Sequence, residues 1–256
     1  MSGRLPPATG CLLDIDGTLL IDDAAVPGAA AALQRLRGSR RPFRLITNTT
    51  RRSRAATARI LRDAGFDIEA ATILTPAVLA RRRILASGRT RTTFLLPQEA
   101  IADLTGVQAV NERADWVVVG DCGAGFTWER LNLAFRLLRA GASLLALQKN
   151  RFWHDGERGC VLDAGPFVHA LEYATGVEAE VLGKPSSAFF RLALEDLGLP
   201  AGEVLMVGDD PEADVGGGRG AGCLTVLVRT GRYRDGDDLP AGLRPDAVVD
   251  SVADLF

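Results

Sequence analysis

The chain has 256 residues, of which 47% are hydrophobic and 24% are charged, and its formal net charge is −2. This length accommodates one large domain, or a core with a second lobe, and the composition is ordinary for a globular protein. The small net charge argues against a nucleic acid or a membrane surface as the main partner.

The cysteines and the N-terminal segment narrow the class of protein further. Cys11, Cys122, Cys160 and Cys223 are scattered and form no CxxC pair, so neither a zinc site nor a disulfide framework is indicated. The N-terminal residues lack an apolar signal core, and no apolar run approaches the length that spans a membrane. We therefore expect a cytoplasmic protein without a membrane partner.

Short apolar runs separated by amphipathic stretches predict strands that alternate with helices. The apolar runs are residues 11–15, 43–47, 116–120, 143–147, 204–208 and 224–228. The amphipathic stretches are residues 28–37, 51–65, 129–141 and 187–198. Several of these stretches end in glycine, which is a typical helix stop. This alternation predicts an α/β fold with a mostly parallel sheet.

The first apolar run, residues 11–15, leads into two carboxylates. Asp14 and Asp16 lie two positions apart, so in an extended chain their side chains point to the same side. Carboxylates brought together in this way repel unless a positive charge lies between them. The pair therefore indicates a bound cation, phosphate chemistry, or both.

Polar residues also mark the ends of other predicted strands. Thr47 and Asn48 end the second apolar run, and Asp209 and Asp210 follow the fifth. In open α/β sheets, ligands bind beyond the carboxyl ends of the strands, so these residues describe one site if the strands are neighbours. Together with Lys184, they supply the carboxylates, hydroxyl and ammonium that suit a hard cation and phosphoryl transfer.

Four sequence motifs carry a family resemblance. They are DIDGTLL at 14–20, ITNTT at 46–50, GKP at 183–185 and GDDPEAD at 208–214. In this order and spacing, the chain resembles the haloacid dehalogenase-like phosphatases over essentially its whole length. The resemblance implies a Rossmann-like core and a Mg²⁺-dependent phosphohydrolase that acts through an aspartyl phosphate. We expect small phosphomonoesters as substrates.

The resemblance also implies roles for individual residues. Asp14 would be the nucleophile, and Asp16 the general acid for the leaving group and then the general base for water. Thr47 and Asn48 would bind phosphoryl oxygens. Lys184 would hold charge between Asp14 and the phosphoryl group. A dehalogenase acts on carbon and needs no acid at position 16, so this residue favours phosphorus chemistry.

The same resemblance implies a magnesium site. Asp14, the backbone carbonyl of Asp16, and Asp209 would bind Mg²⁺, while Asp210 and Asp214 would orient the groups around the ion.

Motif spacing indicates a second lobe. The stretch between the first two motifs has room for one helix and a connection, whereas the stretch between the second and third far exceeds one crossover. We predict a core formed by residues 1–75 and 181–256, with an inserted α/β cap domain at 76–180. This arrangement resembles the large-cap (C2-type) branch of the family, whose members often dimerise through their caps, so we expect that a homodimer can form in this way.

Residues 150–159 are predicted to form a loop of the cap that contacts the substrate. They include Trp153 and His154 and follow the apolar run that ends at 147. Trp and His offer an apolar face with hydrogen-bonding edges, and we expect both to bind the leaving group. The alternative is that Trp153 packs beneath its own loop.

Alternative functions remain open at this point. Hydrolysis of phosphoamidates or of inorganic pyrophosphate is the second candidate, and a non-catalytic phosphate-binding protein is a third. The glycine-rich residues 216–222 loosely suggest a dinucleotide-binding loop, but they do not directly follow a predicted strand, which favours turns at helix ends.

Overall fold

The computed structural model describes residues 7–155, 158–234 and 236–256, with the backbone alone described at residues 154 and 155. The chain forms two compact units. The core unit comprises the described residues up to Thr47 together with Arg54–Leu74 and Lys184–Phe256. The inserted unit comprises Asn48–Ser53 and Thr75–Gly183. The short segment that follows Thr47 therefore groups with the inserted unit.

The strands are numbered in chain order. They are β1 (Gly10–Asp14), β2 (Leu20–Ile21), β3 (Ala24–Ala25), β4 (Phe43–Ile46), β5 (Ile73–Leu74), β6 (Arg91–Leu95), β7 (Gln108–Ala109), β8 (Trp116–Val119), β9 (Ser143–Ala146), β10 (Phe152–Asp155), β11 (Gly159–Leu162), β12 (Glu180–Val181), β13 (Val204–Gly208), β14 (Leu224–Val228) and β15 (Ala247–Val249).

The α-helices are numbered in the same way. They are α1 (Ala29–Gly38), α2 (Arg54–Asp63), α3 (Pro76–Ala86), α4 (Gln98–Ile101), α5 (Trp128–Arg139), α6 (Ala164–Thr175), α7 (Ser187–Leu197) and α8 (Gly217–Gly220). A π-helical turn at Pro211–Gly216 directly precedes α8.

The core unit is built on a six-stranded sheet in the order β15-β14-β13-β1-β4-β5. All of its neighbouring strands run parallel. The five residues of β1 and the five of β13 are all buried, as expected for central strands of a parallel sheet that is covered on both faces. The predicted α/β fold with a mostly parallel sheet is therefore confirmed.

The inserted unit contains a second parallel sheet of five strands in the order β12-β9-β8-β6-β7. All four residues of β8, the Trp-Val-Val-Val run, are buried. Helix α5 begins after Thr127, whose side chain accepts a hydrogen bond from the backbone N–H of Arg130. The rings of Phe126 and Phe167 stack with centroids 3.8 Å apart.

The segment predicted as a loop at 150–159 instead begins a β-hairpin. Strands β10 and β11 pair antiparallel, with Trp153 opposite Val161 and Phe152 opposite Leu162. The aromatic residues of β10 and the β-branched Val161 of β11 favour this pairing. The prediction of a loop was wrong here, because the arms are short and partly exposed and give no buried apolar run.

The glycine-rich residues 216–222 form no dinucleotide-binding loop after a strand. They lie at the end of the π-helical turn, in α8 and in the turn that follows α8, and β13 ends eight residues before this stretch, at Gly208. Within the described ranges, no helix combines the length and the apolar character that crossing a bilayer requires.

Candidate active site

An ammonium group held between two carboxylates lies at the centre of the candidate site. Lys184 Nζ donates to Asp14 Oδ1 at 2.5 Å and to Asp214 Oδ1 at 2.7 Å. All three side chains are buried. Burial by itself lowers the pKa of Lys184, but the two carboxylates outweigh it and hold that pKa above its ordinary value, so the side chain is a cation.

Sheet topology explains why residues distant in sequence meet at this point. Strand β1 lies between β13 and β4, and all three run in the same direction, so their carboxyl ends share one edge of the sheet. Asp14 is the last residue of β1 and lies opposite Ile46, which directly precedes Thr47. Asp209 directly follows the last residue of β13. One edge therefore carries Asp14, Thr47 and Asp209.

Three buried carboxylates converge at this edge. Asp14, Asp209 and Asp214 each offer a carboxylate oxygen within 4.8 Å of the other two. Burial, together with the negative charges of Asp14 and Asp214, raises the pKa of Asp209 to about 8. Burial also raises the pKa of Asp214 to about 7, although Lys184 opposes the shift. The pKa of Asp14 is raised as well, with burial the largest cause.

This charge balance fits a divalent cation. Three carboxylates share one buried ammonium, so the fully ionised cluster has more negative than positive charge. Repulsion between the carboxylates adds to the effect of burial in raising the pKa values of Asp209 and Asp214. Carboxylate oxygens are the donors that hard cations such as Mg²⁺ prefer. The residues present therefore suit the metal that the family resemblance implies.

Asp16 and Thr47 are joined by a hydrogen bond. The Thr47 hydroxyl donates to Asp16 Oδ2 at 3.1 Å, and Thr47 is buried whereas Asp16 is exposed. The negative charge of Asp16 contributes to the raised pKa of Asp14, so the two carboxylates interact electrostatically. Asp16 combines access to solvent with proximity to the buried carboxylates, which suits a group that exchanges protons with a leaving group and with water.

The two acidic residues expected around the ion have different surroundings. Asp214 accepts from Lys184 Nζ and, at 3.1 Å, from the backbone N–H of Asp210. The Asp210 carboxylate instead caps the π-helical turn by accepting two backbone N–H bonds, each 2.9 Å long, from Glu212 and Ala213. Its other oxygen lies 3.2 Å from Arg232 Nη1. Of Asp210 and Asp214, only Asp214 belongs to the carboxylate cluster.

Asn48 lies within the inserted unit. A Cβ atom built on Gly183 would lie 2.7 Å from Asn48 Oδ1 and 2.6 Å from the backbone oxygen of Leu147. A side chain at position 183 would therefore collide with backbone, which explains why glycine precedes Lys184. The close packing joins Asn48 of the second motif to Gly183 of the third.

Trp153 also lies in the inserted unit, where the guanidinium of Arg51 lies over its ring, 5.1 Å from the centroid. Arg51 Nε is in turn 3.7 Å from Asp121 Oδ2. The Trp153 side chain is half-buried, so it neither packs fully beneath the hairpin nor projects freely from it. The side chain of His154 lies outside the described part of the chain.

Sequence reasoning assigned no role to a loop that contacts Asp209. Residues Thr230 to Arg232 follow β14, and the backbone N–H of Arg232 donates to Asp209 Oδ2 at 2.6 Å. Strand β14 is a parallel neighbour of β13, so its carboxyl end lies at the same edge of the sheet. The rule that places ligands beyond strand ends could have identified this loop, because the apolar run at 224–228 was predicted as a strand.

Comparison with known proteins places this site in a family. A family model described as haloacid dehalogenase-like hydrolase matches residues 11–108, and a second, HAD-hydrolase-like, model matches residues 181–255. The chain is 44% identical to the human protein named haloacid dehalogenase-like hydrolase domain-containing protein 2 over 227 residues, which are 89% of this chain and 86% of the relative. It is 37% identical over 257 residues to bovine phospholysine phosphohistidine inorganic pyrophosphate phosphatase, covering 98% of this chain and 94% of that protein.

The fold has close counterparts among solved structures. The p-nitrophenyl phosphatase from Archaeoglobus fulgidus superimposes with a TM-score of 0.92 at 29% identity, covering 97% of this chain and 98% of that one. The resemblance that the four motifs indicated is thereby confirmed. The chain belongs to the haloacid dehalogenase-like hydrolases and is a phosphatase of that family.

Proposed function

We propose that this phosphatase is Mg²⁺-dependent and hydrolyses small phosphomonoesters through an aspartyl phosphate formed on Asp14. The observation that carries the proposal is the buried Lys184 ammonium between Asp14 and Asp214, beside Asp209. The ammonium hydrogen-bonded to Asp14 opposes the rise in pKa that burial causes there, and it reduces the repulsion between this carboxylate and an incoming phosphate.

The first step is attack of a carboxylate oxygen of Asp14 on phosphorus. A bond forms between that oxygen and phosphorus, and the ester P–O bond breaks. Asp16 donates its proton to the leaving alkoxide, which departs as an alcohol. Thr47 and Asn48, which follow β4, bind the phosphoryl oxygens. Thr47 is well placed for this role because its buried hydroxyl already lies next to Asp16.

The second step returns the enzyme to its starting state. Asp16, now ionised, accepts a proton from water, and the resulting hydroxide attacks phosphorus. The bond between phosphorus and the Asp14 oxygen breaks, so inorganic phosphate leaves and the Asp14 carboxylate is restored. The same residue thus donates a proton in the first step and accepts one in the second, and its exposed position allows water to reach it.

The metal would be held by Asp14, Asp209 and the backbone carbonyl of Asp16. When bound, Mg²⁺ supplies positive charge that offsets the negative charge of the phosphoryl oxygens and of the attacking carboxylate. Asp214 keeps Lys184 in place next to this set, since it accepts a hydrogen bond from the ammonium.

Hydrolysis of phosphoamidates or inorganic pyrophosphate is the second candidate. It is favoured by the 37% identity to the bovine protein whose name gives phospholysine, phosphohistidine and pyrophosphate as substrates. The same nucleophile and acid would serve, with a nitrogen or a phosphate oxygen as the leaving atom. Purified protein assayed on p-nitrophenyl phosphate, alkyl phosphates, a phosphoamidate and pyrophosphate separates the two candidates by their relative kcat/KM values.

The Asp14→Asn variant tests the proposal as a whole. An amide neither attacks phosphorus efficiently nor binds Mg²⁺ well, so turnover should fall to the background rate for every substrate. Thermal unfolding should show that the variant is folded. Turnover within tenfold of the wild type would overturn the assignment of the nucleophile.

We also propose that two copies associate through the inserted unit. Phe152 and Leu162 lie opposite each other in the hairpin and are both exposed, as is Tyr173. Exposed apolar pairs of this kind favour contact with another surface. The mass in solution, measured by light scattering, tests the association.

A further inference from the structure

We propose that the loop Thr230–Gly231–Arg232, here called the TGR loop, is a positioning element that fixes the Asp209 carboxylate for a divalent cation. This inference rests on the proposed metal-dependent function and extends it to residues outside the four motifs. Every contact that carries it lies within the core unit.

The first observation is a pair of backbone hydrogen bonds to one residue. The N–H of Arg232 donates to Asp209 Oδ2 at 2.6 Å, and the N–H of Tyr233 donates to the backbone oxygen of Asp209 at 3.1 Å. Two consecutive amides thus hold both the side chain and the backbone of Asp209. In the described part of the chain, Oδ1 of this carboxylate accepts no hydrogen bond, so it is the oxygen left for an ion.

The second observation is steric. A Cβ atom on Gly231 would lie 2.0 Å from Asp209 Oδ2 and 2.8 Å from the Cα atom of Gly17. A Cβ atom on Gly17 would itself lie 2.3 Å from Asp209 Oδ2. The carboxylate is therefore enclosed by two glycines, and a methyl group on either one would force it to move.

The third observation ties the TGR loop to the first motif. The Thr230 hydroxyl donates to the backbone oxygen of Gly17 at 2.5 Å. Gly17 belongs to the DIDGT segment that supplies Asp14 and Asp16, so this bond fixes the loop relative to the nucleophile. On the other side, Arg232 Nη1 lies 3.2 Å from Asp210 Oδ2 and holds the loop against the residue that follows Asp209.

If the TGR loop positions Asp209, loss of its contacts should weaken metal binding, which loss of a merely stabilising contact would not do. Hydrogen bonds that orient a ligand carboxylate typically change metal affinity about 10- to 100-fold when they are lost. The TGR loop provides both the hydrogen bond and the space that fix the orientation of Asp209. Its loss should therefore weaken metal binding in the absence of any substrate.

Two substitutions test this inference through Mn²⁺ binding to substrate-free protein, measured by the electron paramagnetic resonance of free Mn²⁺. Gly231→Ala displaces the carboxylate directly, and Thr230→Val removes the bond to Gly17 while retaining the volume of the side chain. We expect the Kd for Mn²⁺ to rise about tenfold or more in both. Thr230→Ser keeps the hydroxyl and should restore the wild-type Kd.

Thr225→Val provides a matched control. Thr225 lies in β14, and its hydroxyl donates to Asp246 Oδ2 at 3.1 Å, so this variant also loses a threonine hydrogen bond in the core unit. It should lower the melting temperature and leave the Kd for Mn²⁺ unchanged. Should Gly231→Ala fail to fold, the comparison of Thr230→Val with Thr230→Ser decides the question.

The outcomes separate this inference from the proposed function. Wild-type protein that binds no Mn²⁺ contradicts the proposed metal dependence itself. Wild-type protein that binds Mn²⁺ with the same Kd as folded Gly231→Ala and Thr230→Val overturns only the role of the TGR loop. Equal weakening by Thr230→Val and Thr225→Val also overturns it, because the effect would then reflect general stability.

Discussion

The ammonium of Lys184 lies 2.7 Å from the carboxylate of Asp214, and both groups are buried at the carboxyl edge of the core sheet. The two residues are thirty positions apart in sequence. Their pairing lets Asp214 act without contacting a substrate, because it holds the cation that also hydrogen-bonds Asp14. Loss of the ion pair between Lys184 and Asp214 should therefore affect both the stability and the activity of the protein.

Lys184→Met should abolish turnover and destabilise the protein. The substitution leaves two buried carboxylates without their ammonium partner, and breaking a buried ion pair from one side typically costs about 3–5 kcal/mol. Denaturant unfolding in EDTA at neutral pH measures the change. Lys149→Met is the matched control, since Lys149 pairs with Glu172 at 2.6 Å but is partly exposed. It should cost about 0–1 kcal/mol. Equal losses in the two variants would contradict the central role of Lys184.

Asp16→Asn should impair esters with poor leaving groups more than p-nitrophenyl phosphate. Nitrophenolate departs with little protonation, whereas an alkoxide needs the proton that Asp16 supplies. We expect the rate of the first chemical step to fall about 10²- to 10⁴-fold for an alkyl phosphate and much less for p-nitrophenyl phosphate. Pre-steady-state burst kinetics measures this step. Asp22→Asn is the control: Asp22 lies shortly after Asp16 in the chain and is exposed, and its substitution should leave the rates for both esters unchanged. Equal losses for both esters would refute the acid role.

Activity should require Mg²⁺, and Ca²⁺ should inhibit it. The cluster offers few protein ligands, which suits Mg²⁺, an ion that retains several waters and prefers octahedral geometry. Ca²⁺ takes more oxygen ligands and could engage both oxygens of Asp14, which would prevent attack on phosphorus. Steady-state assays after chelation and readdition of each ion measure the effect. Full activity in excess EDTA would end the metal hypothesis.

Replacing Trp153 and His154 together by Ala should change substrate preference without removing the chemistry. The proposed nucleophile, acid, lysine and metal ligands all belong to the core unit, so these two residues have no assigned chemical role. We expect kcat/KM to fall for an ester with a large leaving group and to change little for a minimal phosphate donor.

Trp128→Ala serves as the control for this prediction. Trp128 is also in the inserted unit but is 74% exposed, so its removal should leave kcat/KM unchanged both for the ester with a large leaving group and for the minimal phosphate donor. If the double variant loses activity on all substrates equally, or loses thermal stability, the hairpin with Arg51 over Trp153 has a structural role. The specificity contacts then lie elsewhere.

Sequence reasoning succeeded where burial leaves a strong pattern. The central strands β1 and β13 are covered on both faces, so they appear in the sequence as continuous apolar runs. Asp14 is the last residue of β1, and Asp209 directly follows β13. It failed at the hairpin β10-β11, whose arms are short and partly exposed and so leave no buried apolar run in the sequence. It also missed the two-residue strands β2, β3, β5, β7 and β12, because so short a strand has no periodicity.

The finer contacts of the site could not be predicted from the sequence, for a different reason. The bond from Thr230 to Gly17 joins residues more than two hundred positions apart and involves a backbone oxygen, which no side-chain pattern encodes. Similarly, the fourth motif offers two further aspartates after Asp209, but only the π-helical turn determines that Asp210 caps it while Asp214 faces Lys184.

The most direct test of the account is chemical trapping of the phosphorylated enzyme. The Asp16→Asn variant, which should form the aspartyl phosphate but hydrolyse it slowly, is mixed with Mg²⁺ and p-nitrophenyl phosphate and quenched in acid. Borohydride then reduces the acyl phosphate to an alcohol, and peptide mass spectrometry locates the reduced residue. We predict reduction at position 14 alone, dependent on substrate. Reduction at another residue, or phosphate release by this variant with no reduction at Asp14, would contradict the proposed mechanism.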